Sequence, residues 1–356
     1  MKPSIALIPL SAVYSAVTRM RLAAYRRGWL SVSKLDATVI SVGNLTPGGT
    51  GKTPLVEWIC RAIASGDAAA DLREGKRVCV LTRGYGREHP KTQVVVSNGV
   101  ELLAGEQEAG DEPFLLAKNL LGIAAVIANP DRVAAGEWAV KNLNAECFVL
   151  DDGFQHLRLA RDLDIVTIDA TNPWGGGSLL PYGRLREPRA GLSRADCVVI
   201  TRAEQVEDLP SIRAAVKQLV GAVPVFSSRM VTSGIRKLDG ESADAQSLLA
   251  QTSGAFCGVG NPESFFNHLR GEGFAPAFTR VFPDHHNYHQ SELDALVKEA
   301  KSRGAGSLIT TAKDAIKLAA LHLELPCYLL EIQILIDQED RLVKIIRNTA
   351  YQNREQ

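Results

Sequence analysis

No sign of charge dominates this chain. Its 356 residues carry 40 Lys and Arg against 40 Asp and Glu. No global field exists to recruit a polyanion, so nucleic acid is not an expected partner. Cysteine is sparse and shows no Cys-x-x-Cys pair. Several of the six cysteines sit in apolar, strand-like runs such as Val78-Cys79-Val80. That placement favours buried free thiols in a reducing compartment over a disulfide frame or a zinc site. No internal repeat or low-complexity tract is present. The first apolar run, Ile5 to Val17, falls short of the about 20 residues that span a bilayer. What remains is ordinary globular composition, 46% hydrophobic and 22% charged, over a length that suggests about two domains.

The most informative stretch is Val39-Ile-Ser-Val-Gly-Asn-Leu-Thr-Pro-Gly-Gly-Thr-Gly-Lys-Thr53. A β-branched run from Thr38 to Val42 predicts a buried strand. A glycine-rich turn follows, and an apolar-periodic helix begins at about Lys52. Strand, glycine-rich loop, Gly-Lys-Thr and helix form the phosphate-binding loop of nucleoside triphosphate enzymes. In such a loop, residues Thr46, Pro47, Gly48, Gly49, Thr50, Gly51, Lys52 and Thr53 wrap the phosphate, and all but Pro47 can offer it a backbone N–H. The positive end of the following helix adds to that field. Lys52 is expected to reach the β- and γ-phosphates and Thr53 to offer a hydroxyl to Mg²⁺. The usual spacing has glycine at position 46, where this chain has Thr46. The bland alternative is a glycine-rich turn ahead of an ordinary helix.

A second signal is Cys147-Phe-Val-Leu-Asp151-Asp152-Gly-Phe-Gln-His156, an apolar strand that ends in two carboxylates. Ligands of parallel sheets sit beyond the carboxyl ends of strands, so one of these carboxylates is a candidate for Mg²⁺. Gly110-Asp111-Glu112-Pro113 precedes a helix, and Asp111 could be only its N-cap. Asn129-Pro-Asp131-Arg132 opens another helix and offers Arg132 to a phosphate. Thr82-Arg83-Gly-Tyr85-Gly-Arg87 and Leu179-Leu-Pro-Tyr182-Gly-Arg184-Leu-Arg186-Glu187-Pro188 are basic loops suited to phosphate or sugar. Phe282-Pro-Asp284-His285-His286-Asn-Tyr288-His289 holds three histidines but no cysteine partner for zinc. One of them could work with a carboxylate across a cleft. Thr310-Thr-Ala-Lys313-Asp314 ends a strand and opens a helix, with no role that the sequence assigns.

The N-terminal 35 residues carry six basic side chains (Lys2, Arg19, Arg21, Arg26, Arg27, Lys34) and no acidic one. On a helical wheel Leu10, Val13, Tyr14, Val17 and Ala24 share a face, with Arg19 and Arg26 opposite. This predicts a helix in a membrane interface, its arginines on anionic headgroups. A signal peptide, or a helix packed on its own domain, are the alternatives. Strands then alternate with helices, which predicts a parallel sheet covered on both faces. The expected division is an amphipathic membrane-associated helix (1–30), a P-loop domain (31–222), a linker (223–245) and a smaller α/β domain (246–356).

Together the motifs resemble the tetraacyldisaccharide 4'-kinase (lipid A 4'-kinase) family. The likeness rests on Leu7-Ile-Pro-Leu10, Tyr25-Arg-Arg-Gly-Trp29, the phosphate loop, Thr82 to Arg87, Gly110 to Pro113, Leu150 to His156, Gly183 to Pro188, Phe282 to His285 and Thr310 to Asp314. The family's phosphate loop also lacks the first glycine, which accounts for Thr46. The resemblance implies a two-domain α/β kinase of P-loop type, peripheral on the cytoplasmic face of the bacterial inner membrane. It implies transfer of the γ-phosphoryl of Mg·ATP to the 4'-hydroxyl of an acylated glucosamine disaccharide 1-phosphate, with no protein partner. Asp111 then resembles the catalytic base, with His285 behind it to orient it. Lys52, Arg132, Asp151 and Asp152 resemble active-site residues. Thr53, Glu112 and Asp151 are candidate metal ligands, and Tyr85, Arg186 and Glu187 candidate substrate residues. The rival is a membrane-associated P-loop ATPase switch without an acceptor. Its loop needs a lysine where this chain has Pro47. A GTPase is a further rival, but Thr201-Arg-Ala-Glu204 lacks both key residues of a guanine-reading Asn-Lys-x-Asp.

Overall fold

All seven residues of the β-branched run Thr38–Asn44 are buried, so this strand occupies the middle of a sheet rather than an edge. A computed structural model describes residues 5–65, 77–85 and 87–351. Lys2 and Gly86, both part of the motifs above, lie outside the described residues. In chain order the elements are α1 (Ile8–Arg26), β1 (Thr38–Asn44), α2 (Lys52–Ala64), β2 (Val78–Thr82), β3 (Val94–Ser97), α3 (Glu106–Ala109), α4 (Asp111–Asn119), β4 (Ala124–Ala128) and α5 (Arg132–Leu143). Then come β5 (Cys147–Asp151), β6 (Leu163–Asp169), β7 (Cys197–Thr201), α6 (Leu209–Val220), β8 (Val225–Lys237), β9 (Ser242–Ala243), α7 (Ala245–Leu249), β10 (Ser253–Cys257) and α8 (Pro262–Gly271). The chain ends with β11 (Thr279–Val281), α9 (Gln290–Ser302), β12 (Ser307–Thr310), α10 (Ala312–Leu318), β13 (Cys327–Ile336) and α11 (Glu339–Tyr351).

One continuous sheet runs β11-β10-β12-β13-β8-β7-β6-β1-β5-β2-β4-β3. Around β1 the pairing is parallel, with β5 on one side and β6 on the other. Alternation along β1 feeds two cores. Ile40 and Val42 pack with Leu55 and Ile59 of α2, while Val39 packs with Val133 and Ala139 of α5. Both faces are therefore apolar, as parallel sheets covered by helices require.

Two expectations need correction. The segment 223–245 was expected as a linker, yet most of it is strand. β8 pairs parallel with β7 through Val225–Ser227 and then antiparallel with β13 through Ser228–Lys237. It is the seam that carries the sheet from one half of the molecule into the other. The second correction concerns 246–356, which does not stay in one smaller domain. Ile334 and Ile336 of β13, with Leu342 and Ile346 of α11, join the core around α2. Arg347 Nε donates to Ala62 O (3.0 Å) and Tyr351 OH to Ile63 O (3.0 Å).

Helix α1 is longer than its apolar run. With the turn before it, it spans Ile5–Arg26, long and apolar enough to cross a membrane by length and composition. One side of it contacts the protein body. Ser11 Oγ donates to Leu179 O (2.8 Å), Tyr14 OH to Arg186 O (3.0 Å) and Arg21 to Gln155 O (3.2 Å). Leu10, Val13, Val17 and Met20 are left exposed. Tyr14 therefore belongs to the inward face, not to the apolar one. All six cysteines are buried free thiols.

Candidate active site

β1, β2, β4, β5, β6 and β7 all deliver their carboxyl ends to one rim, and the motifs collect there. The phosphate loop leaves β1 over Gly43, where a side chain would meet Phe154 Cβ at 2.5 Å. Gly51 caps α2 with φ +77° and Gly48 has φ +104°, conformations that favour glycine. Thr46 is not among the positive-φ residues, so the loop does not require glycine there. The loop's carbonyls are engaged by neighbours. Asn44 Nδ2 donates to Thr46 O (2.5 Å) and Thr50 Oγ1 (2.8 Å). Arg184 donates to Pro47 O (3.1 Å), Arg202 to Gly49 O (2.6 Å) and Thr201 Oγ1 to Thr50 O (2.8 Å). Arg202 is itself paired with Asp169. With those carbonyls occupied, the loop's N–H groups and the start of α2 remain for an anion.

Asp151 and Asp152 follow on β5 and have opposite environments. Burial pushes the Asp151 carboxyl up to about 6, with Lys52 opposing and the Asp152 and Glu112 charges adding. Its Oδ2 accepts from Thr82 Oγ1 (3.1 Å), while its buried Oδ1 has no partner. Asp152 turns through φ +56° into the cleft. Lys52 Nζ stands 3.4 Å from it, and Arg186 Nη1 donates to both its oxygens at 2.6 and 2.8 Å. Burial alone would raise this group, but the two cations hold it down at about 2. Arg132 is buried behind the pair and donates to Asp151 O at 3.4 Å. Glu187 is buried and clasped by Arg194 at 2.7 and 3.0 Å, with Gln155 donating at 2.9 Å. Tyr85 is exposed, with the Arg83 guanidinium over its ring at 4.9 Å.

The second half of the chain closes the opposite wall. His285 Nδ1 lies 3.0 and 2.9 Å from the two oxygens of Asp111. The ring of His285 lines the cleft, whereas Asp111 is 4% exposed and lies behind it. This order reverses the expected one, in which the histidine stood behind the carboxylate. Nor is Asp111 an N-cap: Gly110 takes that place, and Asp111 Oδ1 accepts from the neighbouring Glu112 N–H (2.9 Å). Burial would raise Asp111, but His285, Lys313 and Lys317 hold it far below the usual carboxylate range. His285 is raised, chiefly by its hydrogen bond to Asp111. Lys313 Nζ binds Glu112 (2.9 Å) and Asp284 (3.1 Å) across the cleft. The sequence offered no role for Lys313 or Lys317; their i,i+4 spacing on α10 was the available signal. The other two histidines have separate duties. His286 pairs with Glu292 (3.0 Å), and His289 takes part in the capping box of α9. Among the described residues no group of three His, Cys, Asp or Glu is placed to hold a metal.

The cleft has a volume of about 340 Å³, from the phosphate loop to Lys313 and His285. Beside it a chamber of about 540 Å³ opens under α1, lined by Tyr14, Arg21, Arg132, His156 and Arg194 among others. Arg83, Tyr85, Asp152 and Arg186 line both spaces.

Residues 3–351 match the family model described as Tetraacyldisaccharide-1-P 4'-kinase. The chain belongs to this family. Among its members, the tetraacyldisaccharide 4'-kinase of Geobacter metallireducens is 43% identical over 313 residues, 88% of each chain. That of Syntrophotalea carbinolica is 40% identical over 346 residues, 96% of this chain and 92% of the relative. The crystal structure of Aquifex aeolicus LpxK in complex with ATP is similar at 33% identity and a TM-score of 0.74, covering 97% of this chain and 99% of that one. The kinase activity expected from the sequence, a step of lipid A biosynthesis, goes with membership of the tetraacyldisaccharide 4'-kinases.

Proposed function

We propose that the cleft takes Mg·ATP and the chamber the acylated disaccharide 1-phosphate, with the 4'-hydroxyl meeting the γ-phosphate at their shared wall. The observation that carries this is Asp152, which faces both spaces and is gripped by Lys52 from the phosphate loop and Arg186 from the chamber side. The phosphate loop binds the triphosphate, and Lys52 neutralises charge on its transferring end. A hard divalent cation suits Asp151, whose buried Oδ1 lacks a partner, and the Thr53 hydroxyl on the first turn of α2. When bound, Mg²⁺ would neutralise charge on the phosphoryl oxygens. Glu112 is engaged by Lys313, which argues against it as a ligand. Arg132, Arg186 and Tyr85 act on the sugar-phosphate side, and buried Glu187 holds Arg194 in the chamber wall.

The Asp111–His285 pair takes the proton. His285 faces the cleft, so its ring receives the proton of the 4'-hydroxyl as the new O–P bond forms and the bond to ADP breaks. Asp111 fixes the Nδ1 side of the ring and stabilises the imidazolium, the logic of an oriented acid–base pair. Helix α1 lays its exposed apolar face into the cytoplasmic leaflet, where the substrate's acyl chains reside and ATP is available. No protein partner enters this scheme. Incubation with γ-labelled ATP, with and without lipid disaccharide 1-phosphate, tests it. Label should appear in the lipid only when acceptor is present. Phosphate release that ignores the acceptor would favour an ATPase switch instead.

A further inference from the structure

Asp111 has a neighbour that does no work in the scheme above. Lys317, near the end of α10, places Nζ 2.9 Å from Asp111 Oδ2, a close ion pair without hydrogen-bond geometry, with its side chain 6% exposed. It lines neither the cleft nor the chamber. Lys313, one turn earlier, stands 3.7 Å from the same oxygen but gives its hydrogen bonds to Glu112 and Asp284. Lys317 has no such acceptor; Asp111 is the one ion-pair partner it has among the described residues. Glu106 of α3 is also within its electrostatic reach.

We propose that Lys317 is a positioning residue for the phosphoryl transfer: it fixes the Asp111 carboxylate from behind, so that Asp111 can hold His285 Nδ1 and leave Nε2 to the cleft. This rests on the reading of Asp111 and His285 as the proton-accepting pair. Stability alone explains the lysine poorly, because a buried ion pair is often no better than an apolar pair of the same size. A catalytic explanation fits the arrangement. The two oxygens of Asp111 lie almost equally far from His285 Nδ1, so nothing in that contact stops the carboxylate from rotating. The Glu112 N–H restrains Oδ1 (2.9 Å), and the Lys317 charge adds the second restraint, on Oδ2. The lysine also keeps Asp111 from taking the ring's proton, so the charge stays on the imidazolium until product leaves. Lys317 itself exchanges no proton and forms no covalent bond.

Four variants test this: Lys317→Met, Lys317→Arg, Asp111→Asn and the double Asp111→Asn/Lys317→Met, each assayed full-length with Mg·ATP and lipid disaccharide 1-phosphate. Lys317→Met should lower kcat about tenfold or more, the scale of losing a close charge partner of a buried carboxylate, with KM for ATP changed by less than about twofold. Lys317→Arg should keep most of the activity. In the double variant no charge is left unpaired, so it should fold, and it should turn over no more slowly than Asp111→Asn alone. A loss from Lys317→Met that is equally large in the Asp111→Asn background would make Lys317 a general structural residue and overturn the proposal. So would wild-type kcat in Lys317→Met beside an impaired Asp111→Asn. Wild-type kcat in Asp111→Asn would bring down the pair itself, and this proposal with it.

Discussion

Asp111 and His285 are 174 residues apart in the chain and 2.9 Å apart in space. One opens α4 beside the phosphate loop, and the other sits in the half of the molecule beyond the seam strand β8. Every basic partner of Asp111 (His285, Lys313 and Lys317) comes from that second half. The proposed proton acceptor is therefore built from both halves of the molecule.

The pair makes activity and stability depend on pH in opposite ways. The folded pKa of His285 is raised, so its stabilising contribution is complete below its unfolded value of about 6.5 and is lost as pH rises through the folded value. That of Asp111 is depressed, so its contribution is complete above about 3.9 and is lost as pH falls through its folded value. The pairing is thus strongest between about pH 4 and 6.5. With His285 as the proposed proton acceptor, turnover should need the neutral ring and rise through its folded pKa. The acid limb of kcat should have its midpoint above about 6.5, and Asp111→Asn should move it down. A pH–rate profile of both proteins checks this.

Lys52→Ala should reduce transfer by about a hundredfold or more, the scale of losing a preorganised charge at the transition state. The fold should persist, because Asp152 keeps Arg186 as partner. Activity near wild type, with an unchanged circular dichroism spectrum, would remove the phosphate-loop assignment.

Membrane attachment is best probed without removing α1, because Tyr14, Thr18 and Arg21 of its inner face line the chamber. Leu10, Val13 and Met20 are exposed and do not line it. Replacing those three with serine should weaken binding to anionic vesicles while sparing turnover on detergent-dispersed substrate. Salt should also weaken binding of the intact protein. Undiminished vesicle pelleting by the triple variant would place the anchor elsewhere.

Gly43→Val should destabilise the protein by about 1–3 kcal/mol or more, because its Cβ would lie 2.5 Å from Phe154 Cβ on a buried strand. A urea titration monitored by tryptophan fluorescence measures it.

Much of the parallel half was legible, since its strands are short apolar runs punctuated by glycine and helix caps. The phosphate loop and the Asp151-Asp152 strand end followed from the same local chemistry. β8 was not legible as one strand. It changes partners midway, and it passes from a fully buried start to a mostly half-buried outer part, so no single apolar pattern runs through it. Helix α11 went unread, although Leu342, Ile346 and Ala350 form a stripe at helical spacing. At the site, the family resemblance, rather than the residues alone, supplied Asp111 and His285 as partners. Which of them faces the cleft depends on burial contributed by α10, and local sequence does not encode that. Lys317 was missed for the same reason: a lysine on an amphipathic helix reads as solvated until its neighbour is known.

The central claim is that Asp111 and His285 act as one unit across the cleft. Turnover of Asp111→Asn, His285→Ala and the double variant, at saturating Mg·ATP and lipid acceptor, tests it most directly. Each single change should lower kcat by about 10²–10⁴ with ATP affinity largely kept, and the double should be little slower than the worse single. Losses that multiply in the double variant, or a mild effect of Asp111→Asn, would contradict it.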